Sequence, residues 1–275
     1  MQNIKTIIIS RKEVITVSKK FTRAIVRIPG HSISEGLLSS VYLEGRPNYQ
    51  KAIVQHEQYV AALAKAGLDV TVLAPCEDFA SSVFIEDNAL LTDKVAIISN
   101  PGAMTRNGEV CLPDLRATLE KFYDNVEQIT EGTCEPGDIM MVGNDFYIGI
   151  SKRTTRAGAE NMAAILKKYG HNPILVELKE MFHLKSGVNY LENNNLLVAG
   201  EFIDNPLFKD FNKYVIPEDE MYAANCVWVN DYVLVPEGYP KVKKLVEDMG
   251  YKTIVLGVSE LRKTNGGLSC ISLRF

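Results

Sequence analysis

Three stretches of the chain share one shape: "YVAALAKAGLDVTVLAP", "MAAILKKYGHNPILVEL" and "VKKLVEDMGYKTIVLGV". Each reads as an amphipathic helix that stops at a glycine (Gly67, Gly170 or Gly250) and runs straight into a strand. Glycine supplies the left-handed residue that ends a helix and turns the chain back. "LRATLEKFYDNVEQIT" is a fourth, degenerate copy, with Leu115, Leu119 and Phe122 at helical spacing but no cap glycine. A unit of this size cannot bury its apolar face alone, so copies must pack side by side in a propeller or another closed array.

Strand pairs lie between the helices: "VFIEDNALLTDKVAIIS", "DIMMVGNDFYIGIS", "NYLENNNLLVAGEF" and "NCVWVNDYVLVP". Gly-Asn in "VGNDFY" and Asn-Asp in "WVNDYV" are hairpin turns. Two strands are left without a neighbour, "FTRAIVRIP" near the start and "SCISLRF" at the end. If they pair with each other, they close a ring of about five modules. No domain boundary is evident after about residue 21, so residues 21–275 read as one domain behind an extension of residues 1–20. That extension has a short apolar patch, "TIIIS", without a small-residue cleavage site, and no signal peptide is expected.

Composition narrows the function. The formal charge of −4 and the lack of a Lys/Arg stripe argue against a nucleic-acid surface and suit a cationic small molecule. No apolar run reaches membrane-spanning length, so no membrane partner is expected. The five cysteines are odd in number, widely spaced and free of CxxC pairs, which points to free thiols in a reducing cytoplasm. With only four histidines, a multi-histidine metal site is hard to build, and no metal is expected.

Cys270 sits close to the chain end, behind Gly266 and Gly267, in a run that reads as a strand. Glycine there lets the backbone approach a ligand or take a bend closed to other residues. The thiol is therefore either a small buried core group or a nucleophile; Cys76, Cys111 and Cys226 read as structural. A nucleophilic thiol needs a proton shuttle, and His183 is the candidate, unless it is a satisfied structural histidine. Glu86 and Asp87 are neighbours in a strand pattern, which sends them to opposite faces. A buried carboxylate needs a cation or several donors. Glu135, before Pro-Gly, is either a loop carboxylate or a third such ligand. Arg106 and Arg153 read as solvated loop residues or, if they converge, as a clamp for a carboxylate.

The stretches "FIEDNALL", "NPGAMTRNGE", "EPGDIMMVGNDFYIG", "FHLKSGVNYLENNNLLVAGEF", "AANCVWVN", "GYP" and "GGLSCISLRF" resemble the dimethylarginine dimethylaminohydrolase family, relatives of the arginine deiminases and amidinotransferases. The resemblance runs from about Phe21 to Phe275. It implies a five-bladed α/β propeller with pseudo-fivefold ββαβ repeats. It also implies hydrolysis of Nω-methylated L-arginine (asymmetric dimethylarginine or monomethylarginine) to L-citrulline and a methylamine, with no cofactor and a small guanidino substrate as partner; a homodimer is compatible with it. Cys270 matches the nucleophile and His183 the general acid/base. Glu135 and Asp87, with Glu86 beside them, match the carboxylates that hold the guanidinium. Arg106 and Arg153 match the carboxylate-binding pair. The backbone carbonyls of Leu37 and Thr264 match acceptors for the α-ammonium. Ser81 stands where the family carries an aspartate for that ammonium, a departure that bears on the substrate's amino end. Two catalytic alternatives are a deiminase acting on free arginine or another guanidino compound, and an amidinotransferase. A third alternative is a non-catalytic propeller that only binds.

Overall fold

The computed structural model describes residues 21–41 and 44–275. The extension expected over residues 1–20 lies outside the described residues. The chain enters on β1 (Arg23–Arg27), crosses α1 (Tyr49–Lys65) and lays β2 (Asp69–Leu73) parallel to β1. Four further units repeat the scheme of an antiparallel pair, a crossover and a parallel third strand. They are β3 (Ala89–Leu91), β4 (Ala96–Ile98), α2 (Pro113–Leu119) and β5 (Val126–Gln128); then β6 (Ile139–Val142), β7 (Asp145–Ile150), α3 (Arg156–Lys168) and β8 (Asn172–Glu177). The last two are β9 (Val188–Tyr190), β10 (Asn195–Val198) and β11 (Asn212–Val215), and β12 (Val227–Val229), β13 (Tyr232–Pro236), α4 (Pro240–Asp248) and β14 (Lys252–Leu256). After a one-turn α5 (Ser259–Arg262), β15 (Leu273–Arg274) ends the chain. Among the described residues the result is a mixed α/β fold with five sheets of three strands each.

The two unpartnered strands do pair. β15 runs antiparallel to β1, with Ala24 opposite Arg274 and Ile25 opposite Leu273, so the C-terminus completes the sheet that the N-terminal strand began. The cap glycines do what the repeat predicts: φ is +93° at Gly67, +80° at Gly170 and +91° at Gly250, a region costly for any residue with a Cβ. At the other helix ends, Asn48 accepts from the Lys51 N–H and Thr155 from the Gly158 N–H. The fourth unit breaks the pattern. β10 returns to β11 through two 3₁₀ turns, Gly200–Phe202 and Pro206–Phe208, whose phenylalanines are fully buried where another unit would place a helix. Among the described residues, no helix is long and apolar enough to cross a membrane.

A short 3₁₀ turn leads into the first strand of each antiparallel pair: Ile85–Asn88, Pro136–Asp138, Leu184–Ser186, Glu218–Ala224 and Ser269–Ile271. Hydrogen bonds join these turns in a circle. The Gly137 N–H donates to Asp87 Oδ1 (3.1 Å), and the Leu184 N–H to Asp138 Oδ1 (2.9 Å). Asn225, which ends the fourth turn, donates to the Lys185 carbonyl (3.0 Å) and accepts from the Ser269 N–H (2.9 Å). Ser269 Oγ then donates to Glu86 Oε2 (2.9 Å), which returns to the first turn. Buried polar groups need partners, and here the partners are supplied by the next turn round. Two expectations change as a result. Glu86 and Asp87 sit on a 3₁₀ turn and not in a strand, and so does Cys270. Turns of three or four residues are too short to show periodicity in a sequence.

Candidate active site

Cys270, His183, Glu135, Asp87, Arg106, Arg153, Ser81, Leu37 and Thr264 line one small pocket at this ring, together with Phe84, Phe182 and Gly266. Of the predicted set, Glu86 alone is not among them. It lines a second cavity of about 130 Å³, where Lys185 Nζ (2.6 Å) and Arg274 Nη2 (3.2 Å) bind its Oε1. Neighbouring carboxylates do point apart, but Glu86 already has two of the protein's own cations.

Glu135, just before the Pro136–Asp138 turn, is buried and not a solvated loop carboxylate. Its Oε1 accepts from the N–H groups of Gly102 (2.9 Å) and Ala103 (3.3 Å), and its Oε2 lies 2.7 Å from His183 Nε2. Burial works against its ionisation, but the bond to His183 and the charges of His183, Arg106 and Arg153 outweigh it and bring the carboxyl down to about 2. Burial alone would lower His183; the carboxylates of Asp138, Glu135 and Asp87 raise it to about 9 instead. At neutral pH the pocket thus holds an imidazolium paired with a carboxylate.

Asp87 has the opposite balance. Burial, and then the charge of Glu135, push it up to about 6, although Arg106 Nη1 donates to its Oδ2 at 2.7 Å. Ser99 Oγ bonds to its backbone carbonyl. Cys270 Sγ receives the Gly267 N–H at 3.3 Å. Its thiol is pushed up to about 12 by burial, with Glu86 and Asp87 adding to the shift.

Arg106 is buried at 4% exposure and is not a solvated loop residue. Its Nε donates to Glu109 Oε2 (2.7 Å), and its Nη2 to the Phe84 carbonyl (2.9 Å), Asn88 Oδ1 (3.0 Å) and Glu109 Oε1 (2.9 Å). These bonds tie most of its donors to the framework around Asp87. Arg153 is half-buried and lies over the Phe182 ring, 5.0 Å from guanidinium carbon to centroid. Leu37, 53% exposed, stands at the pocket mouth. The glycines before Cys270 answer to packing. A Cβ on Gly266 would lie 2.1 Å from the Phe84 ring, and one on Gly267 would lie 2.5 Å from Asn225 Oδ1. Both make room for protein neighbours, and Gly266 also lines the pocket beside Cys270.

Several contributors escape a reading of the sequence. Asp138, fully buried, accepts from Ser151 Oγ, Thr154 Oγ1 and the Leu184 N–H, which fixes the turn next to His183. Its spacing of three from Glu135 is the one available signal. Glu109, three residues after Arg106, neutralises it in the same way. Lys185, Asn225, Ser269 and Arg274 meet only through the ring, and no spacing reveals them. Asp87, Glu135 and His183 offer ligand atoms within 4.8 Å of one another, close enough to hold a metal ion. All three are already hydrogen-bonded, and an ion at Asp87 would compete with the Arg106 guanidinium.

A family model described as "Arginine deiminase" matches residues 112–213. The chain is 49% identical over 257 residues to the N(G),N(G)-dimethylarginine dimethylaminohydrolase of Pseudomonas aeruginosa, covering 93% of this chain and 100% of that protein. The enzyme of the same name in Streptomyces coelicolor is 29% identical, covering 92% and 96%. A structure of the Pseudomonas aeruginosa protein, a Cys-to-Ser variant complexed with citrulline, superposes with a TM-score of 0.90 at 48% identity, over 94% of this chain and 100% of that one. The N-terminal domain of a cyanobacterial arginine dihydrolase shares the fold, with a TM-score of 0.82 at 18% identity, over 93% and 97%. The 49% identity to the Pseudomonas aeruginosa enzyme, over that protein's whole length, puts this chain in the dimethylarginine dimethylaminohydrolase family.

Proposed function

We propose that the protein hydrolyses Nω-methylated L-arginine to L-citrulline and a methylamine through a covalent adduct on Cys270. The single observation that carries this is the convergence of Cys270, the His183–Glu135 pair and Asp87 on one pocket. The ionisation states fit the chemistry. Burial and two carboxylates oppose a thiolate and favour the neutral thiol. A guanidinium entering beside Asp87 reverses that balance, since it places a positive charge where the thiolate forms. As the guanidinium binds, the thiol releases its proton to solvent, and thiolate attack on the guanidinium carbon makes a C–S bond. His183, already protonated, gives its proton to the leaving amine as the C–N bond breaks. The neutral imidazole then takes a proton from water, whose oxygen attacks the thiouronium carbon. Collapse expels the Cys270 thiolate and leaves a urea group. Glu135 orients His183 and stabilises its charged form throughout, and Asp87 with Arg106 behind it fixes the guanidinium. In this reading Arg153 meets the substrate carboxylate, with Leu37, Thr264 and Ser81 toward the amino end; Arg106, expected as its partner in that clamp, has its donors on Glu109, Asp87, Phe84 and Asn88.

We read the architecture as a five-bladed propeller with pseudo-fivefold ββαβ units, formed by residues 21–275 as one catalytic domain. The five equal sheets, the circle of turns and the β1–β15 closure support it. A second substrate, unmethylated arginine, is favoured by the match to the arginine deiminase model. Citrulline formation from asymmetric dimethylarginine, monomethylarginine and arginine, measured side by side, decides between them. Methylated substrates are expected to win in kcat/KM, and Cys270→Ser to abolish turnover with the fold intact. A serine variant that kept more than a few per cent of the rate, an order-of-magnitude threshold for a lost nucleophile, would remove Cys270 from its role.

A further inference from the structure

The mechanism above leaves one buried ion cluster unused. Glu86 is bonded through Oε2 to Ser269 Oγ, one residue before the nucleophile, and through Oε1 to Lys185 and Arg274. Charged groups approach the Cys270 thiol region from several elements. Glu86 and Asp87 come from the first turn, Arg106 lies behind Asp87, Glu135 stands at the head of the second turn, Arg153 lines the pocket from the loop after β7, His183 and Lys185 come from the third turn and Arg274 from β15; Tyr59 of α1 lies behind Arg274. His183 is paired with Glu135. Arg274 is largely spent on the backbone, since its Nη1 serves the carbonyls of Ser269 (3.2 Å) and Ser272 (3.2 Å) and Ser272 Oγ (2.7 Å). Lys185 has a different character. Its contact with Glu86, at 2.6 Å, is the shortest that this carboxylate makes, and it sits on the turn that also carries the base of the reaction's acid–base pair.

We propose that Lys185 is a positioning residue for the nucleophile: its ammonium pairs with Glu86 at 2.6 Å and offsets part of its charge, so that the Ser269–Cys270 turn is held with less negative charge against the sulfur. Two buried carboxylates beside a thiol would otherwise oppose the thiolate that attack requires. Glu86 and Asp87 both push the thiol up, and Lys185 works in the other direction. The role rests on reading Cys270 as the nucleophile, and it assigns the Glu86–Lys185 pair to the thiol's charge and not to the substrate's.

The test is the pH dependence of Cys270 alkylation by iodoacetamide without substrate, read by mass spectrometry of the Cys270 peptide. Lys185→Met is expected to slow alkylation at pH 8 by about tenfold, the effect of losing one opposite charge near a titrating group. Lys185→Arg should stay close to wild type, and Glu86→Gln should speed alkylation. In turnover, Lys185→Met should lose kcat with little change in KM. A purely structural role for Lys185 would lower the melting temperature and leave the alkylation profile in place, and that result would overturn the proposal. If Lys185→Met does not fold, Glu86→Gln carries the test alone, and an unshifted profile there overturns it equally. Alkylation requires no turnover, so failure of the enzyme on methylated arginines would count against the proposed function and leave this measurement standing.

Discussion

The proton on His183 is the residue-scale feature with the widest consequences. Its folded value of about 9 lies above the ordinary 6.5, so the stability it contributes is fully present below about pH 6.5 and is lost as pH rises through 9. Glu135 behaves as its mirror, contributing above 4.5 and losing that contribution as pH falls toward 2. Asp87, raised to about 6, titrates at lower pH than His183. Thermal melts of wild type and His183→Gln between pH 6.5 and 9 should therefore show a gap that is widest at the acid end and closes upward. A gap of constant width would mean that the imidazolium is not what the carboxylates hold. Ser81 poses a separate question, because it lines the pocket beside Leu37 and Thr264 with an uncharged hydroxyl. Ser81→Asp should lower KM for methylated arginine with kcat little changed, since a contact far from the reacting carbon favours ground and transition states alike. The gain should be about 1–2 kcal/mol at most, because water can already bridge serine to an ammonium. It should vanish for a methylated guanidino acid without the amino group; equal gains on both compounds would place the aspartate's effect elsewhere.

At the scale of elements, the turns matter more than the helices. The capped helices and Asn/Gly hairpins were legible because a glycine after a periodic run, or between two alternating runs, has a single local meaning. The 3₁₀ turns were not: "FIEDN" and "LSCIS" each run on into a strand-like stretch, and Glu86, Asp87 and Cys270 were accordingly expected in strands. Family resemblance singled them out for the site; Asp87 and Cys270 line the pocket, Glu86 faces the second cavity, and their environment comes from contact across 50 to 183 residues of chain. Gly137 shows how tightly the turns are set. A Cβ there would lie 2.6 Å from His183 Nδ1 and 2.9 Å from Asp87 Oδ1. His183 cannot simply swing away, because Nε2 is held by Glu135. Gly137→Ala should therefore lower kcat by about a hundredfold, the scale of a misplacement near 1 Å, while citrulline still binds. An unchanged kcat would show that the imidazole has slack that this packing denies.

For the whole molecule, the decisive contact is the last one made. Two strands without sequence neighbours had only each other, so closure was legible even though the circle of turns beneath it was not. β15 is just two residues long, and two register pairs are a weak ladder. Side chains must therefore do much of the fastening. Leu273 is buried among Ile25, Ile85 and Leu91, and Phe275 packs on Phe122 (5.3 Å) and Tyr123 (5.5 Å) of the next unit. Leu273→Ala should cost about 2–5 kcal/mol, as for other buried leucines. The form of the loss is more telling than its size. The Cys270 turn lies three residues upstream of Leu273 and is bonded to turns on both sides, so loosening the closure should loosen every unit together. Three probes separate the outcomes: activity reports the Cys270 turn, fluorescence of the single tryptophan, Trp228, reports β12, and far-ultraviolet circular dichroism reports the helices. In urea, all three should fall at one midpoint in both proteins, with the variant's midpoint lower and its slope unchanged. If activity were lost first while Trp228 and the helices held, the units would be melting singly, and the closing strand would be a local clasp for the nucleophile instead of the seam of a cooperative ring.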